Sequence, residues 1–406
     1  MKQSTLYSWL FLSLFAALLL GCGSSKMSEL LYQGSLDTGP FNDRITFERA
    51  LDLIIVEVEV DGQKRRFLVD SGSPNVIDAA LAEELGLQTE LKRKVSDSNG
   101  KTTKLPIVTV DQIKIGATTY YQTAAVVADL RNTPLLSCLD VDGFIGANLM
   151  RLGVWQIDYQ KQEIQIVPDR DSLDYPPTSP GIPFLASRQG TPRIQIQFSD
   201  APSQTVILDL GATGGLDLPI ESYYKWPSRK QAAVVKGYGV SNTGLYGAQT
   251  DTLRKVWTAD FQLESDSLDY GPVLVEYNSA NSPSLGNEFF ENFRLTLDWK
   301  RMEAHFETQG APTMDYPSFG FIPAYQNGQL QVGFLWENSP AEKAGLAVGY
   351  RILFMNGIDC INMTNSSFCR LINSRSLQDK WTNIDLILQK GQSTKKIQLE
   401  KRNLMP

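Results

Sequence analysis

The chain of 406 residues holds a single histidine, His305, and only four cysteines. One imidazole excludes every H-E-x-x-H zinc site and any mechanism that calls on two histidines. His305 itself lies in the alternation RMEAHFE (Arg301 to Glu307) and reads as a surface residue at a strand edge. Catalysis must then rest on carboxylates, serines, lysines or a cysteine. Basic residues are also few: 38 Lys and Arg stand against 45 Asp and Glu, a formal net charge of −7. That balance excludes nucleic acid as the main partner. With 42% hydrophobic and 20% charged residues the chain is neither disordered nor a multi-span membrane protein, and its length suits two or three domains. Beyond Cys22 the cysteines are Cys138, Cys360 and Cys369, whose spacing matches no zinc pattern. Cys360 and Cys369 could pair in an oxidising compartment or stay reduced. Cys138 has no histidine or positive group near it in sequence and reads as an inert buried side chain. No metal and no cofactor is expected.

The N-terminus is a targeting segment. Lys2 is the positive flank, and LYSWLFLSLFAALLL (Leu6 to Leu20) is an apolar core of about 15 residues, short for a membrane span. It ends in Leu19-Leu20-Gly21-Cys22, which resembles the lipobox of bacterial lipoproteins. The resemblance implies a signal peptide over 1–21, a lipid-modified Cys22 and a flexible tether over 22–40. Acyl chains would then hold a soluble body on a membrane of the bacterial cell envelope, facing the periplasm or the exterior.

The chain also contains a repeat. Two apolar runs each end in Asp-x-Gly: Phe67-Leu68-Val69-Asp70-Ser71-Gly72-Ser73 and Val206-Ile207-Leu208-Asp209-Leu210-Gly211-Ala212, about 139 residues apart. Downstream, DGFIGANLMRLGVWQIDYQKQEIQI (from Asp142) aligns with SPSLGNEFFENFRLTLDWKRMEAHF (from Ser282). Gly146 then matches Gly286, Asp158 matches Asp298 and Glu163 matches Glu303. Strand signals dominate each unit. IIVEVEVDGQKRRFLVD alternates, turns at Asp61-Gly62 and runs apolar into Asp70, the pattern of a hairpin. Helical stretches are short: AALAEELG after Asp78, and the residues following Gly146 and Gly286. Linker chemistry falls at Asp174 to Gly181 and at Thr308 to Pro317. The expected body is mainly β, with lobes over 41–173 and 181–308.

A carboxylate at the end of a buried strand, with glycine two residues later, sits where the chain can turn and a second backbone can approach. Two such loops set face to face would hold carboxylates that cannot both ionise cheaply, so they would share one proton. One can then activate a water while the other protonates a carbonyl.

On these residues the chain resembles the aspartic proteases of the retropepsin-like and pepsin-like clan, over about residues 41 to 308. The apolar-apolar-glycine Phe144-Ile145-Gly146 and the weaker Ser284-Leu285-Gly286 add to the match. The resemblance implies duplicated acid-protease β-barrel lobes, with Asp70 and Asp209 catalytic and Ser71, Gly72, Ser73 and Gly211 supporting their loops. It implies a flap at SDSNGKTTK (Ser96 to Lys104) and a second at GYGVSNTGLYG (Gly237 to Gly247), over a cleft for peptide or unfolded polypeptide. Leu210 departs from the family, which has a hydroxyl residue there to brace the loops across the axis. Ser71 can brace from one side only, and a pseudoprotease that merely binds peptide is the alternative. Asp37-Thr38-Gly39 spells the family's triplet better than Asp209-Leu210-Gly211, yet it follows no strand and has no repeat partner, so it reads as a turn of the tether.

The C-terminal stretch SPAEKAGLAVGYRILFMNGID (Ser339 to Asp359) resembles the core of bacterial PDZ domains, with Tyr350 in place of the usual aspartate. A PDZ domain over 315–402 is implied, in which Phe319, Gly320 and Phe321 would form a loop whose backbone N–H groups capture a peptide end. The whole reads as a lipid-anchored aspartic endopeptidase, expected to be a monomer.

Overall fold

The computed structural model describes residues 22–36, 39–230, 232–258, 261–263, 270–279, 282–310 and 314–405. The signal peptide assigned to 1–21 lies outside the described residues, as do Asp37 and Thr38 of the tether turn. The described chain is mainly β. Leu53–Val60 and Gln63–Asp70 pair as an antiparallel hairpin, from Ile55 opposite Leu68 to Val60 opposite Gln63. Asp61 and Gly62 turn it with φ of 51° and 71°, the two positive values that match the twist of the flanking strands. Gln63–Asp70 then runs parallel to Gly143–Gly146, which brings Asp70 level with Gly146. In the second unit Pro192–Phe198 and Ala201–Leu208 repeat the hairpin. There Ile207 and Leu208 run parallel to Ser284 and Leu285.

The two units meet on Val154–Asp158 and Phe293–Asp298, which are equivalent under the repeat. They pair antiparallel with Gln156 opposite Thr296. These two residues lie 140 apart in sequence, and Gln156 Nε2 donates to Thr296 Oγ1 at 3.0 Å. A residue that faces its own repeat-mate marks a twofold axis. Outward from it Glu163–Val167 and Asp43–Ala50 follow on one side. Glu303–Thr308 and Ile182–Pro183 follow on the other. Trp155, Ile157, Leu295 and Leu297 are fully buried at this junction, each such side chain stabilising it by about 2 kcal/mol.

Two expectations are corrected here. His305 is not at the surface: it is 4% exposed, with Nδ1 2.9 Å from the Ser179 carbonyl and Nε2 beside Arg170. Alternation tells which residues share a face, not which face a distant linker will cover. Nor is the tether free over its length. Cys22–Tyr32 is a helix whose Leu31, with Met27 and Leu30, packs on the first lobe beside Ile107 and Val126. That spacing of three and four residues makes one apolar face. Arg151 lies 3.9 Å from the Tyr32 ring, and Ser35–Leu36 adds a short strand opposite Tyr121 and Tyr120.

The chain from residue 314 onward forms a module with its own core, which includes Val332, Ile352, Met355 and Leu386. Phe321–Gln326 and Gln329–Trp336 form its first hairpin. Helix Pro340–Lys343 is capped by Ser339, whose Oγ accepts from Glu342 N at 3.2 Å. Strand Arg351–Met355 follows and turns through Asn356 and Gly357, both at positive φ. Helix Asn365–Asn373 and the hairpin Asn383–Lys390 with Ser393–Glu400 complete it.

Two seams tie this module to the lobes. In the first, Gly237, Tyr238 and Gly239 pair antiparallel with Trp336, Leu335 and Phe334. Gly239 has φ of 143°, and a Cβ there would stand 2.2 Å from the Gly333 carbonyl oxygen. The glycines of GYGVSNTGLYG thus admit a neighbouring strand. The second seam corrects the cysteine reading: the disulfide joins Cys138 to Cys369, with Cα atoms 4.9 Å apart across 231 residues of sequence. Cys360 is buried and free, its thiol pushed up to about 11 by burial and then by Asp359. Spacing along the chain could not show a bond made between separate modules.

Gly239→Ala should therefore cost about 1–3 kcal/mol from the forced φ alone. Urea denaturation should show a lower midpoint, and an unchanged midpoint would mean the seam does not form.

Candidate active site

Asp70 and Asp209 stand at the ends of their strands and meet across the twofold axis. The glycines show how closely. A Cβ on Gly72 would lie 2.5 Å from the carboxyl carbon of Asp209, and one on Gly211 would lie 2.5 Å from that of Asp70. Each glycine faces the other lobe's aspartate, and the two carboxyl groups are within hydrogen-bonding reach of each other. Burial pushes Asp70 above the ordinary carboxylate range. Burial, and then the neighbouring Asp70, pushes Asp209 well above it.

The donors around the pair are unequal. Asp70 Oδ1 accepts from Gly72 N at 2.9 Å and Ser73 N at 3.1 Å, and Oδ2 accepts from the Ser73 hydroxyl at 2.7 Å. On the other side Asp209 Oδ1 accepts from Gly211 N at 2.8 Å, and Ala212 has no hydroxyl to match Ser73. Donors stabilise the ionised form, so the shared proton rests on Asp209 and the charge on Asp70. Ser71 braces the loops: its buried hydroxyl donates to Leu208 O at 2.6 Å and accepts from Leu210 N at 3.0 Å. Leu210 is fully buried in the core and returns no hydrogen bond from its side chain. Half of a symmetric brace is present, the other half being replaced by packing.

Sequence reasoning missed an asparagine framework behind these loops. Asn287 Nδ2 donates to Leu210 O and Ala212 O, both at 2.8 Å, while its Oδ1 accepts from Tyr159 at 2.7 Å. In the first lobe Asn75 Oδ1 accepts from Gly146 N at 2.7 Å, and Asn148 Oδ1 accepts from Asn75 N at 2.6 Å. The signal was an asparagine one or two residues after each repeat glycine, in GAN and GN.

The hairpins expected over the cleft meet at their tips. Thr89–Ser96 pairs with Thr102–Ile115 in the first lobe, and Val234–Gly244 pairs with Gly247–Thr258 in the second. Asn99 Nδ2 donates to Gly247 O at 3.1 Å and Asn242 Nδ2 to Asn99 Oδ1 at 3.0 Å. Tyr246 N donates to Asp97 Oδ2 at 3.1 Å, and its hydroxyl donates to Val95 O at 2.9 Å.

Behind Asp209 lies a charged row. Asp217 stands opposite Glu276, and Lys255 stands opposite Glu276 from the far side. Lys255 Nζ is 3.1 Å from Glu276 Oε2. Burial, followed by Glu276, pushes Asp217 up to about 8. Its repeat-mate Asp78 instead caps helix Ala79–Glu84 and meets Arg131 at 2.8 Å. The remaining candidates lie elsewhere. Phe319 and Phe321 are buried in the module's core. Gly320, at φ 96°, donates its N–H to Ser318 Oγ at 3.0 Å. The side chain of Cys22 is outside what is described.

Residues 56–149 match the family model described as aspartyl protease. That stretch holds Asp70, Ser71, Gly72 and Ser73 together with the first hairpin. Among solved structures the chain is similar to a retropepsin-like aspartic protease from Rickettsia conorii, at 22% identity and a TM-score of 0.25. The likeness covers 34% of this chain and 96% of that one. No curated protein matches. General aspartic-protease character is what the family match and the site geometry support together.

Two outcomes follow from the charge distribution. Ser73→Ala removes a hydroxyl that stabilises ionised Asp70, a bond to a charged group worth about 1.5 kcal/mol. The acidic limb of the activity profile should then move up by about one pH unit, read from kcat/KM against pH. Asp217 is held protonated by the fold, so the stability it lends is complete below about pH 4 and is lost as pH rises through about 8. The urea midpoint of Asp217→Asn should gain on the wild type from pH 5 to 9, and a constant difference would contradict that charge state.

Proposed function

We propose that this chain is an aspartic endopeptidase that hydrolyses peptide bonds by a two-carboxylate, water-mediated mechanism. The observation that carries the reading is the pair of loops in which each glycine faces the other lobe's aspartate. Ionised Asp70 takes a proton from a water held between the carboxyls as that water attacks the scissile carbonyl carbon. Protonated Asp209 gives its proton to the carbonyl oxygen, forming a neutral gem-diol. Proton return to the leaving nitrogen then accompanies cleavage of the C–N bond. The donor set supports those roles, since three hydrogen bonds favour the charge on Asp70. The hairpin tips would part to admit an extended chain and close to exclude water around it.

The module from 314 onward is read as PDZ-like. Supporting this are the helix Pro340–Lys343 capped by Ser339, the Asn356–Gly357 turn and the placing of strand Phe321–Gln326 beside helix Asn365–Asn373. Lipid attachment at Cys22 is proposed on the Leu19-Leu20-Gly21-Cys22 motif. Because Met27 is the first residue of this helix to dock on the first lobe, the segment from Cys22 would hold the body at most roughly 8 Å from the membrane surface. A tethered protein of the bacterial envelope acting on unfolded polypeptide, as a monomer, fits these features. The buried Leu210 favours one competing reading, a pseudoprotease that binds chains without cutting them.

Protein lacking residues 1–21 should cleave a diverse peptide mixture, and Asp70→Asn or Asp209→Asn should each lower kcat/KM by about a thousandfold. A hydroxyl-bearing mimic of the tetrahedral intermediate should bind at least about a hundredfold more tightly than the parent peptide. Equal binding would favour the pseudoprotease.

A further inference from the structure

On the PDZ-like reading, strand Phe321–Gln326 and helix Asn365–Asn373 flank the peptide groove of the C-terminal module. Tyr325 forms part of its floor, its ring stacked on Phe368 at 5.6 Å and its hydroxyl donating to Met363 O at 2.9 Å. Among the described residues that strand pairs only with Gln329–Trp336, so its other edge faces the groove. An extended chain would add there as a strand. Yet the place is taken by the protein itself. Helix Pro134–Ser137 of the first lobe packs against both the strand and the helix that form the groove. Asn365 Nδ2 donates to Ser137 Oγ at 2.6 Å, and Asn373 Nδ2 donates to Cys138 O at 3.0 Å. Cys138 belongs to the module's own apolar core and is bonded to Cys369, on the groove helix. Nearby, Arg375 pairs with Asp52 of the first lobe.

The same module is paired at its other edge with the second cleft hairpin, through Gly237 to Gly239. Lys236 and Glu337 add an ion pair at 2.6 Å on this seam. The module is therefore a strap, bonded covalently to the first lobe and through a strand to the hairpin of the second. Any parting of the hairpin tips must work against it.

We propose that the Cys138–Cys369 disulfide is a redox latch that keeps the module's groove filled by the first lobe's 134–138 segment and holds the cleft hairpins together. A dithiol opens it by ordinary exchange. One thiolate attacks Cys369 Sγ, the half-buried sulfur, and Cys138 leaves as the thiolate. The second thiol then displaces Cys369 from the mixed disulfide. Two electrons pass, the dithiol becomes a cyclic disulfide, and both cysteines end as thiols. The freed groove accepts the end of a polypeptide whose body can then enter the cleft. This last step rests on the peptidase reading, but the latch does not.

The test uses protein lacking residues 1–21 with Asp70→Asn, so that nothing is cut, and a fluorescent peptide ending in a hydrophobic residue with a free carboxylate. Fluorescence anisotropy is measured before and after dithiothreitol, and for the Cys138→Ser/Cys369→Ser variant without reductant. Reduction and the double variant should each tighten binding by about tenfold or more, because a tethered competitor is released. Amide hydrogen exchange over residues 321–326 should quicken in both. Unchanged binding and exchange in the reduced protein and in the double variant would overturn the latch. Cleavage by the wild type, followed with and without reductant, separates the claims. Redox-dependent binding with no cleavage sinks the peptidase alone, whereas cleavage with no redox dependence of binding sinks the latch alone.

Discussion

Two aspartates kept in contact repel each other when both are ionised, and the fold must overcome that cost. It does so at the axis. Gln156 faces Thr296 on paired strands that are copies of one another, and the buried Trp155, Ile157, Leu295 and Leu297 make that pairing hard to shift. Once the register there is set, the loops bearing Asp70 and Asp209 have no freedom to draw apart. A slip of one residue would part Gln156 from Thr296 and break their buried hydrogen bond. Asp209, pushed up by burial and then by the neighbouring Asp70, carries the electrostatic expression of this constraint.

Symmetry of the backbone does not carry over to chemistry. The repeat placed equivalent loops on both sides, but side chains then diverged: Ser73 against Ala212, Ser71 against Leu210, Asp78 against Asp217. The first of these differences biases the pair directly. The first adds a hydroxyl donor to Asp70. The last sets a second buried carboxyl behind Asp209, itself held protonated by burial. A proton that two identical halves would share evenly is thereby assigned to one of them. Leu210 fits the same pattern, since the second loop gave up a polar brace and gained a packed apolar side chain.

Much of this was legible in the sequence, and for particular reasons. Asp70 and Asp209 stand out in the sequence because strand context and repeat spacing are local or periodic signals, and the structure brings the two together. The Asp61-Gly62 turn and the helix after Asp78 are legible because each depends on a few adjacent residues. What escaped notice depends on contacts between distant segments. His305 is buried by a linker more than a hundred residues earlier. The helix Cys22–Tyr32 is not legible as one, because its three apolar residues mean little without the surface that receives them. Asn75, Asn148 and Asn287 act only once loops far apart in sequence are brought together. Cys138 was judged by its neighbours in sequence, whereas its partner comes from another module.

The glycine-rich GYGVSNTGLYG shows how one motif can serve two ends. Its tip closes on the first lobe's hairpin through Asn242 and Tyr246, while its stem, at Gly237 and Gly239, lies against the C-terminal module. A hairpin that must move at one end and stay paired at the other transmits displacement along its strands, because ladder hydrogen bonds resist local bending. The module is thus positioned to bias the cleft without contributing any group to it. Since its far side is bonded to the first lobe, the bias acts between the lobes rather than within one of them. That arrangement joins the module to the hairpin of one lobe and to the body of the other, and leaves the carboxyl pair at the axis out of contact with both seams.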